Sequence, residues 1–483
     1  MPTPTTNHTP SFCVHGHFYQ PVREDPLTNE IPEEQGAAPY HDWNERIHDH
    51  CYAPNAKLGN FERISFNIGP TLFTWLDLHH PETSEMIIAQ ERRNVSRYGV
   101  GNAMAQAYHH TILPLARRED KITEVMWGIA DFENRFKHTP QGMWLPETAV
   151  DLQTLSVLAD CGIQFTILAP WQAAVDAVDI TQPYWVELPD NQRMVVFFYQ
   201  PELSARISFD PGSTANADNF YQHILLPQFQ GSAAAGAAGF VMMASDGELY
   251  GHHQPFRDKF LAHLTQYRGE GPQPTFPALW LQQHQPTQMM TIREKTSWSC
   301  HHGVLRWSGQ CGCTPHGEWK AHLRQALNRI AEVVDAQYLA VVKPLLADPW
   351  QLRHQYIRVL LGQINLADLV ELLTGRRLGE HQLIQLDLLL GAQHERQRMF
   401  TSCGWFFEDF DRIEPRNVVA YAAQAVWLTN LATGEDFSQK ALGWLRPVQS
   451  WVNGLRADVV FAERLTITRR FFDRMLPPVW VPG

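Results

Sequence analysis

The stretch Gln141-Gly142-Met143-Trp144-Leu145-Pro146-Glu147 decides the fold, because it is a short apolar run that ends in a carboxylate. Its length and its bulky side chains predict a buried β-strand with Glu147 at its carboxyl end. Pro146 ends that strand, since proline has no N–H to donate to a neighbouring strand. In α/β barrels the carboxyl ends of the strands carry the chemistry, and Glu147 is therefore the first candidate functional residue.

A second stretch farther along the chain has the same design. The apolar residues 239–245 lead directly to Asp246 and Glu248. Two strand-end carboxylates from distant parts of one chain can act as an acid/base or nucleophile/acid pair. Burial would separate their pKa values, so that one group stays charged while the other is protonated near neutral pH. Asp246 and Glu248 lie in one turn, and their spacing does not decide which of them is the acid.

The chain has two regions with different sequence patterns. Its 483 residues exceed the roughly 250–300 residues that a single hydrophobic core reaches, so we expect two domains. Residues 11–295 alternate strand and helix patterns, which is typical of an α/β domain. Residues 296–483 show helical apolar spacing without strand signals, which predicts an all-helical domain.

Composition and charge exclude several classes of partner. The net charge of −12 argues against a nucleic-acid partner, which needs a basic face, and against attraction to an anionic membrane. No run approaches the roughly 18 apolar residues of a membrane helix, and the first ten residues lack the apolar segment of a secretory signal. The seven cysteines are then expected to be reduced thiols of a cytoplasmic protein. The 16 tryptophans favour a carbohydrate partner, because sugar rings stack on their faces.

Histidines and tryptophans near the predicted strand ends are candidate substrate-binding residues. His15 and His17 alternate along the predicted first strand, so both side chains point to one side, and Gly16 allows a close approach of the backbone. Such histidines bind substrate hydroxyls or support a transition state, although a His-x-His pair also resembles a metal-ligand pattern. The predicted substrate-binding residues are His15, His17, His110, Trp144, Glu248, His252 and Trp298.

Three cysteines and three histidines fall within the 17 positions from Cys300 to His316. The spacing of Cys300, Cys311 and Cys313 does not match the paired CxxC knuckles of zinc proteins, so the sequence leaves metal binding there open. The alternative is a glycine-rich connection that folds back over the first domain. Trp298 would then line the sugar site from the second domain.

Three of these motifs together resemble glycoside hydrolase family 57. They are His15-Gly16-His17-Phe18-Tyr19-Gln20-Pro21, Trp144-Leu145-Pro146-Glu147 and Ser245-Asp246-Gly247-Glu248. The resemblance implies an incomplete (β/α)7 barrel over residues 11–295 and a helical domain over residues 296–483 that contributes to the barrel mouth. It also implies a retaining glycosidase, of the α-amylase or α-glucanotransferase kind, that acts on α-linked glucans or related α-glycosides.

The resemblance further implies a role for individual residues. Glu147 is the expected nucleophile and Asp246 the expected acid/base of a double displacement. His17 corresponds most nearly to the first-motif histidine of the family, with Phe18-Tyr19 inserted before the usual Gln-Pro pair. His110 resembles a substrate-contacting histidine. The expected partner is an α-glucan or oligosaccharide, and no cofactor or metal is expected to take part.

Two alternatives stay open at this point. A metal-dependent carbohydrate hydrolase, such as a deacetylase or an α-mannosidase, would use His15, His17 and Asp246 as ligands. A non-catalytic glycan-binding protein would keep the fold without the chemistry, although the presence of both carboxylates argues against it. The sugar, its linkage, the oligomeric state and the choice between hydrolysis and transfer are left open by the sequence.

Overall fold

A computed structural model describes residues 10–229 and 239–475 of the chain. By their internal contacts the residues form two compact units. Unit 1 is drawn from Met1–Gln20, Glu33–Ala107 and Phe132–Trp298, and unit 2 from Pro21–Pro32, Tyr108–Asp131 and Ser299–Gly483. The last change of unit lies near the predicted domain boundary at residue 296, and two earlier segments also belong to unit 2.

Unit 1 is built around parallel β-strands. In the described residues these are β1 (Ser11–Phe18), β2 (Ser65–Ile68), β3 (Ala105–Gln106), β4 (Met143–Trp144), β5 (Phe165–Leu168), β6 (Tyr184–Glu187), β7 (Arg193–Phe198), β8 (Phe240–Asp246) and β9 (Gln273–Pro274). Strand β1 pairs in parallel with β2, β8 and β9, β3 with β4, and β5 with β7. Strands β6 and β7 form an antiparallel pair.

Three contacts join these ladders into a ring with the order β1-β2-β3-β4-β5-β7-β8. Two of them are isolated parallel bridges, one between Phe66 and Ala103 and one between Gly142 and Phe165. The third is a backbone hydrogen bond of 2.7 Å from the Gln200 N–H to the Met242 carbonyl. Strands that meet in only a few hydrogen bonds leave the ring loosely closed. The arrangement confirms the predicted incomplete (β/α)7 barrel.

The inward faces of the strands change from apolar to polar along the strand direction. Side chains alternate along a strand, so Cys13, His15 and His17 of β1 share one face. On β8 the same rule aligns Met242 with Asp246. The lower part of this interior is a buried apolar cluster that includes Cys13, Trp144, Phe165, Phe197, Phe240 and Met242. The polar residues therefore collect at the carboxyl end of the barrel.

Helices connect the strands, and the predicted pattern for this region is largely confirmed. Asp151 accepts a hydrogen bond from the Thr154 N–H and so begins a helix where a capping residue was expected. The α-helices that begin before residue 299 are Trp43–Ile47, Ala53–Lys57, Pro70–His79, Pro81–Tyr98, Arg118–Phe136, Leu152–Asp160, Pro201–Phe209, Ala217–Phe220, Arg257–Thr265 and Pro277–Gln283.

The chain after residue 298 is helical in its described part, which confirms the prediction for this region. The sequence pattern did not single out three of its helices, Leu366–Thr374, Cys403–Phe406 and Ala457–Met475. The α-helices are Glu318–Val342, Trp350–Gln355, Ile357–Leu360, Leu366–Thr374, Glu380–Arg398, Cys403–Phe406, Ile413–Thr433, Ser438–Leu445 and Ala457–Met475. Across residues 10–229 and 239–475, no helix is long and apolar enough to cross a lipid bilayer.

Two segments differ from what their sequences predict. The strand predicted before Pro146 contains only Met143 and Trp144. The prolines of residues 22–57 predict an irregular segment, yet 43–57 are helical as two α-helical turns separated by a π-helical turn. Pro54 lies in the first turn of Ala53–Lys57, directly after the π-helical turn.

Candidate active site

Strand pairing brings the histidines of β1 and the acid that ends β8 together. In the parallel register of β1 and β8, His15 lies opposite Ala244 and His17 lies opposite Asp246. Because the strands run in the same direction, both histidines and the acid reach the same end of the barrel. The predicted link between the His15–His17 motif and Asp246 is therefore a direct consequence of the sheet register.

Glu147 lies in a strained turn three residues beyond the end of β4. Its φ is +58° and that of Thr148 is +47°, a left-handed conformation that residues other than glycine seldom adopt. A neighbouring segment holds this turn in place. The Trp298 N–H donates to the Glu147 carbonyl at 3.0 Å, and Val150 bridges Thr296 in antiparallel fashion. Backbone strain that is held by such contacts is typical of functional sites.

The Glu147 side chain is positioned by the same tryptophan. The indole Nε1–H of Trp298 donates to Glu147 Oε2 at 3.1 Å. A donor to one carboxylate oxygen fixes the plane of the group and favours its charged form. Glu147 and Trp298 are both half-buried, so this carboxylate remains accessible from one side.

Asp246 has the electrostatic character of a proton donor. Protein atoms surround most of the carboxyl, which disfavours its charged form, and the nearby Glu147 charge acts in the same direction. Together they raise the pKa of Asp246 to about 7. The side chain is nevertheless exposed at the end of β8, so water and substrate can reach it. An acid that is open to solvent and half-protonated near neutral pH can both give and take a proton.

Glu248 is buried and already engaged by neighbouring groups. One oxygen, Oε1, accepts the Tyr52 hydroxyl at 2.7 Å and the Tyr19 backbone N–H at 3.1 Å. Burial raises the pKa of Glu248 to about 8 with a further contribution from Asp246, although the hydrogen bond from Tyr52 opposes the shift. Glu248 thus supports the turn below Asp246, and of these two carboxyls Asp246 is the exposed one.

His15 and His17 form a neutral hydrogen-bonded network with strand β2. Ser65 Oγ lies 2.9 Å from His15 Nδ1, and His15 Nε2 lies 3.2 Å from Asn67 Oδ1. The Asn67 amide donates to His17 Nδ1 at 2.9 Å and to Gln106 Oε1 at 2.7 Å. Burial lowers the pKa of both histidines to about 3, so both are neutral at physiological pH. Asn67 thus lies between the two rings, within hydrogen-bonding distance of His15 Nε2 and of His17 Nδ1.

The buried Trp144 ring packs against both histidines. Its ring stacks on His15 at a centroid distance of 4.7 Å and on His17 at 5.0 Å. Trp298 meets the Trp144 ring edge-on at 5.1 Å, so the tryptophan that binds Glu147 is held by the one beneath the histidines. Trp144 is 0% exposed, and it positions other side chains rather than presenting a free face.

An aromatic wall that the sequence did not reveal continues from Trp298. Tyr199, just after β7, lies edge-on to Trp298 at 6.3 Å, and Trp171, just after β5, lies edge-on to Tyr199 at 6.0 Å. Trp171 is 39% exposed, and its Nε1–H donates to the Ser297 carbonyl at 3.0 Å. Its position after a short apolar strand was the available sequence signal, as it was for Glu147.

For two predicted site residues the structure shows contacts with other side chains. His252 follows the Glu248 turn but contacts Trp43 and His50, with ring centroids 5.9 Å from each. His110 belongs to unit 2, where its Nδ1 lies 2.6 Å from the Ser402 hydroxyl. Their substrate-binding roles stay predictions. The residues that the structure brings together are His15, His17, Trp144, Glu147, Asp246, Glu248 and Trp298.

Comparison with protein families gives two matches along the chain. The family model described as Glycosyl hydrolase family 57 matches residues 11–298, which is more than half of the chain. A second model, described as a domain of unknown function (DUF3536), matches residues 316–465. The first match contains every residue of the cluster just described, and the second lies within the helical region.

Similar proteins include enzymes of glucan metabolism. Alpha-amylase 1 of Dictyoglomus thermophilum is 23% identical over 192 residues, which are 39% of this chain and 26% of that protein. An alpha-amylase of Pyrococcus horikoshii is 21% identical over 192 residues, which are 39% of this chain and 28% of that protein. The match therefore spans about a quarter of the length of these curated relatives.

Solved structures share the fold over nearly the whole chain. An exo-type maltose-forming amylase from Pyrococcus sp. ST04 has a TM-score of 0.73 at 14% identity, covering 97% of this chain and 92% of that one. A branching enzyme of family 57 from Pyrococcus horikoshii has a TM-score of 0.62 at 14% identity, covering 94% and 96%. At this level of identity the likeness is one of fold.

Proposed function

The chain belongs to glycosyl hydrolase family 57, and from that premise we propose that it is a retaining glycosidase or transglycosidase that acts on α-linked glucans. The names of its relatives support this substrate class, since they include amylases and a branching enzyme. The exposed face of Trp171 and the half-buried Trp298 beside the carboxyl groups suit a sugar ring, which stacks on aromatic faces.

The proposal rests on the placement of two carboxyl groups: Glu147 Oε2 accepts the Trp298 indole N–H at 3.1 Å, and Asp246 ends β8 opposite His17, near enough to Glu147 for the Glu147 charge to raise the Asp246 pKa. Two carboxyl groups that influence each other cannot both ionise easily, so one holds a proton while the other stays charged. The Trp298 N–H favours the charged form of Glu147, and the surrounding protein favours the protonated form of Asp246. A nucleophile and an acid need this division of charge.

In the first step Glu147 attacks the anomeric carbon of the bound glucan. The bond from that carbon to the glycosidic oxygen breaks, and Asp246 transfers its proton to the departing oxygen. The product is a glycosyl ester on Glu147 with inverted configuration. Asp246 is then a carboxylate that faces the vacated position.

In the second step Asp246 removes a proton from an incoming water or sugar hydroxyl. The oxygen of that acceptor attacks the anomeric carbon, and Glu147 leaves as a carboxylate. The second inversion restores the original configuration. Water as acceptor gives hydrolysis, whereas a sugar hydroxyl gives transfer, so the same two side chains serve both outcomes.

The remaining residues of the cluster act by positioning. Asn67 links the rings of His15 and His17 by hydrogen bonds, and both rings pack on Trp144. Because both histidines are neutral, they add no positive charge that would lower the pKa of Asp246. Glu248 and its hydrogen bonds hold the turn that follows β8.

A metal-dependent hydrolase is the less favoured alternative. It needs His15, His17 and Asp246 to direct ligand atoms at one ion. Instead, His15 Nε2 and His17 Nδ1 both face the amide of Asn67, and His15 Nδ1 faces Ser65. The clusters of metal-ligating atoms found among the described residues lie elsewhere.

The experiment that tests the assignment is azide rescue with an activated α-glucosyl substrate. In Glu147→Gly, azide attacks the sugar directly, and we expect a β-glucosyl azide. In Asp246→Ala, azide replaces water in the second step, and we expect an α-glucosyl azide. The same anomer from both variants, or no rescue of either folded variant, would refute the assigned roles.

Control substitutions separate these roles from a general loss of structure. Glu202→Gln alters an exposed carboxylate whose salt bridge, within the part of the chain that the structure describes, is to its helical neighbour Arg206, and it is expected to keep wild-type activity. Our proposal also includes a cytoplasmic location and an oligosaccharide or glucan as the partner, with no nucleic-acid or membrane partner. The acidic net charge supports the exclusion of nucleic acid.

A further inference from the structure

Four potential metal ligands converge near the start of Ser299–Gly483, the last segment of unit 2. The sulfur of Cys300 lies 3.4 Å from that of Cys311 and 3.9 Å from that of Cys313. His302 Nδ1 lies 3.1 Å from the Cys311 sulfur and 3.4 Å from the Cys313 sulfur. All four ligand atoms lie within 4.8 Å of one another. A sulfur separation of 3.4 Å is too long for a disulfide bond, whose length is about 2.0 Å.

These separations are those of a tetrahedron around a small cation. With Zn–S bonds of about 2.3 Å and a Zn–N bond of about 2.0 Å, the edges of a tetrahedral site are about 3.8 Å between sulfurs and about 3.5 Å from sulfur to nitrogen. The sulfur–sulfur separations of 3.4 and 3.9 Å lie on either side of the first value, and the sulfur–nitrogen separations of 3.1 and 3.4 Å lie slightly below the second. We propose that Cys300, His302, Cys311 and Cys313 bind one structural Zn²⁺ ion.

The surroundings of the cluster suit thiolate ligands. The Cys313 backbone N–H points at the Cys311 sulfur at 3.4 Å, as amides do around thiolates that bind a metal. Gly312 lets the chain pass close to His302, because a Cβ there would lie 3.3 Å from the imidazole Cε1. Cys300 and Cys311 are buried, so the centre is shielded from solvent on that side.

A buried lysine balances the charge of the proposed centre. Zn²⁺ with three thiolates and a neutral imidazole has a net charge of about −1. Lys320 is 0% exposed, and its ammonium has no hydrogen-bond acceptor among the described atoms. The Cys300 and Cys311 sulfurs are near enough to interact electrostatically with that ammonium. A buried ammonium without a hydrogen-bonding partner is costly, and a negatively charged metal centre beside it lowers that cost.

The proposed ion has a structural role, because four protein ligands leave no open position for a substrate. The segment between Cys300 and Cys311 carries Trp307, which is fully buried and whose carbonyl accepts two hydrogen bonds from Arg324. It contains only a short 3-10 turn, Leu305–Trp307, and is otherwise irregular. Zinc would fix both ends of this segment and so hold Trp307 in the helical core.

Elemental analysis of the full-length protein tests the proposal directly. We expect about one zinc per chain after purification without chelators, and less than about one tenth of that in Cys311→Ser and Cys313→Ser. Cys403→Ser removes a thiol outside the cluster in the same unit and should leave the zinc content unchanged. His302→Cys replaces the imidazole with a thiolate and so gives the four-cysteine ligand set of many structural zinc sites, and this variant should also retain the ion.

Several outcomes would overturn the proposal. They are wild-type protein without a stoichiometric metal, zinc that persists in Cys311→Ser, and a disulfide between Cys300 and Cys311 found by peptide mapping of the wild-type protein as purified. If circular dichroism shows that a serine variant is unfolded, the wild-type stoichiometry and the His302→Cys variant decide. None of these readouts depends on glycosidase activity.

Discussion

Replacing Trp298 with phenylalanine isolates one hydrogen bond at the proposed nucleophile. The substitution removes the indole Nε1–H that donates to Glu147 Oε2 at 3.1 Å. It keeps an aromatic ring against Trp144 and Tyr199, and it keeps the backbone N–H that donates to the Glu147 carbonyl. The turn that carries Glu147 should therefore survive, so the variant reports on the carboxylate alone.

The expected size of the effect follows from that contact. A hydrogen bond to a charged group contributes about 1.5–3 kcal/mol. Loss of this stabilisation makes Glu147 harder to ionise, so the acid limb of the kcat/KM profile should move to higher pH by about 1–2 pH units. In the transition state for cleavage of the glycosyl-enzyme, the bond between the sugar and Glu147 is about half broken. About half of the hydrogen-bond energy therefore adds to the activation barrier of that step, and kcat falls about 4- to 13-fold.

The assay is a set of pH–rate profiles for hydrolysis of an activated α-maltooligosaccharide. Trp171→Phe is the matched control, because its indole donates to the Ser297 carbonyl at 3.0 Å and not to a carboxylate. The acid limb of the Trp171→Phe profile should lie at the same pH as that of the wild type. An unmoved acid limb in Trp298→Phe, or an equal shift in Trp171→Phe, would refute the reasoning.

Three further predictions follow from the same structure. Asp246→Asn should abolish the alkaline limb of the pH–rate profile near pH 7, because the Asp246 carboxyl, with its raised pKa, loses its proton as the pH rises through that value. The same substitution should lower the turnover of substrates with poor leaving groups about 10²–10⁴-fold. Trp171→Ala should raise KM about 2- to 12-fold with little change in kcat, since a stacking face contributes about 0.5–1.5 kcal/mol. Gly142→Ala should lower the free energy of unfolding by about 1–3 kcal/mol in chemical denaturation, because its Cβ would lie 2.4 Å from the Phe165 ring. Gly443→Ala, with nothing within 4 Å, is the control and should not destabilise.

The alternation of side chains along a β-strand was the most informative signal in the sequence. It placed His15 and His17 on one side of β1, and the sheet register then set His17 opposite Asp246. What it could not supply was the partner strand. Asn67 connects both histidines, yet nothing in its local sequence tells which strand lies beside it, because pairing is a non-local property.

The turn at Glu147 could not be predicted for a related reason. An apolar run before Pro146 indicates a strand, but the left-handed backbone at Glu147 is stabilised by Trp298, a residue 151 positions later in the chain. The helix Leu366–Thr374, in contrast, was recognisable. Asn365 caps its first turn and Gly375 ends it in a left-handed conformation, both of which are ordinary signals of helix boundaries.

The cysteine cluster shows where spacing templates fail. The pairs Cys300–His302 and Cys311–Cys313 have one residue between ligands rather than the two of a zinc knuckle. Turns of the folded chain nevertheless bring the four ligand atoms together, with Gly312 allowing the approach. A tetrahedral site depends on the positions of atoms, and several ligand spacings can produce it.

The most direct test of the central claim is to trap the glycosyl-enzyme and map the modified residue. A fluorinated α-glucosyl fluoride, which slows the second step, should add one sugar to the wild-type chain, and peptide mass spectrometry should place it on Glu147. Glu147→Gln should not be labelled. A sugar attached to Asp246 or Glu248, or an unlabelled enzyme that releases product of inverted configuration, would contradict the assignment.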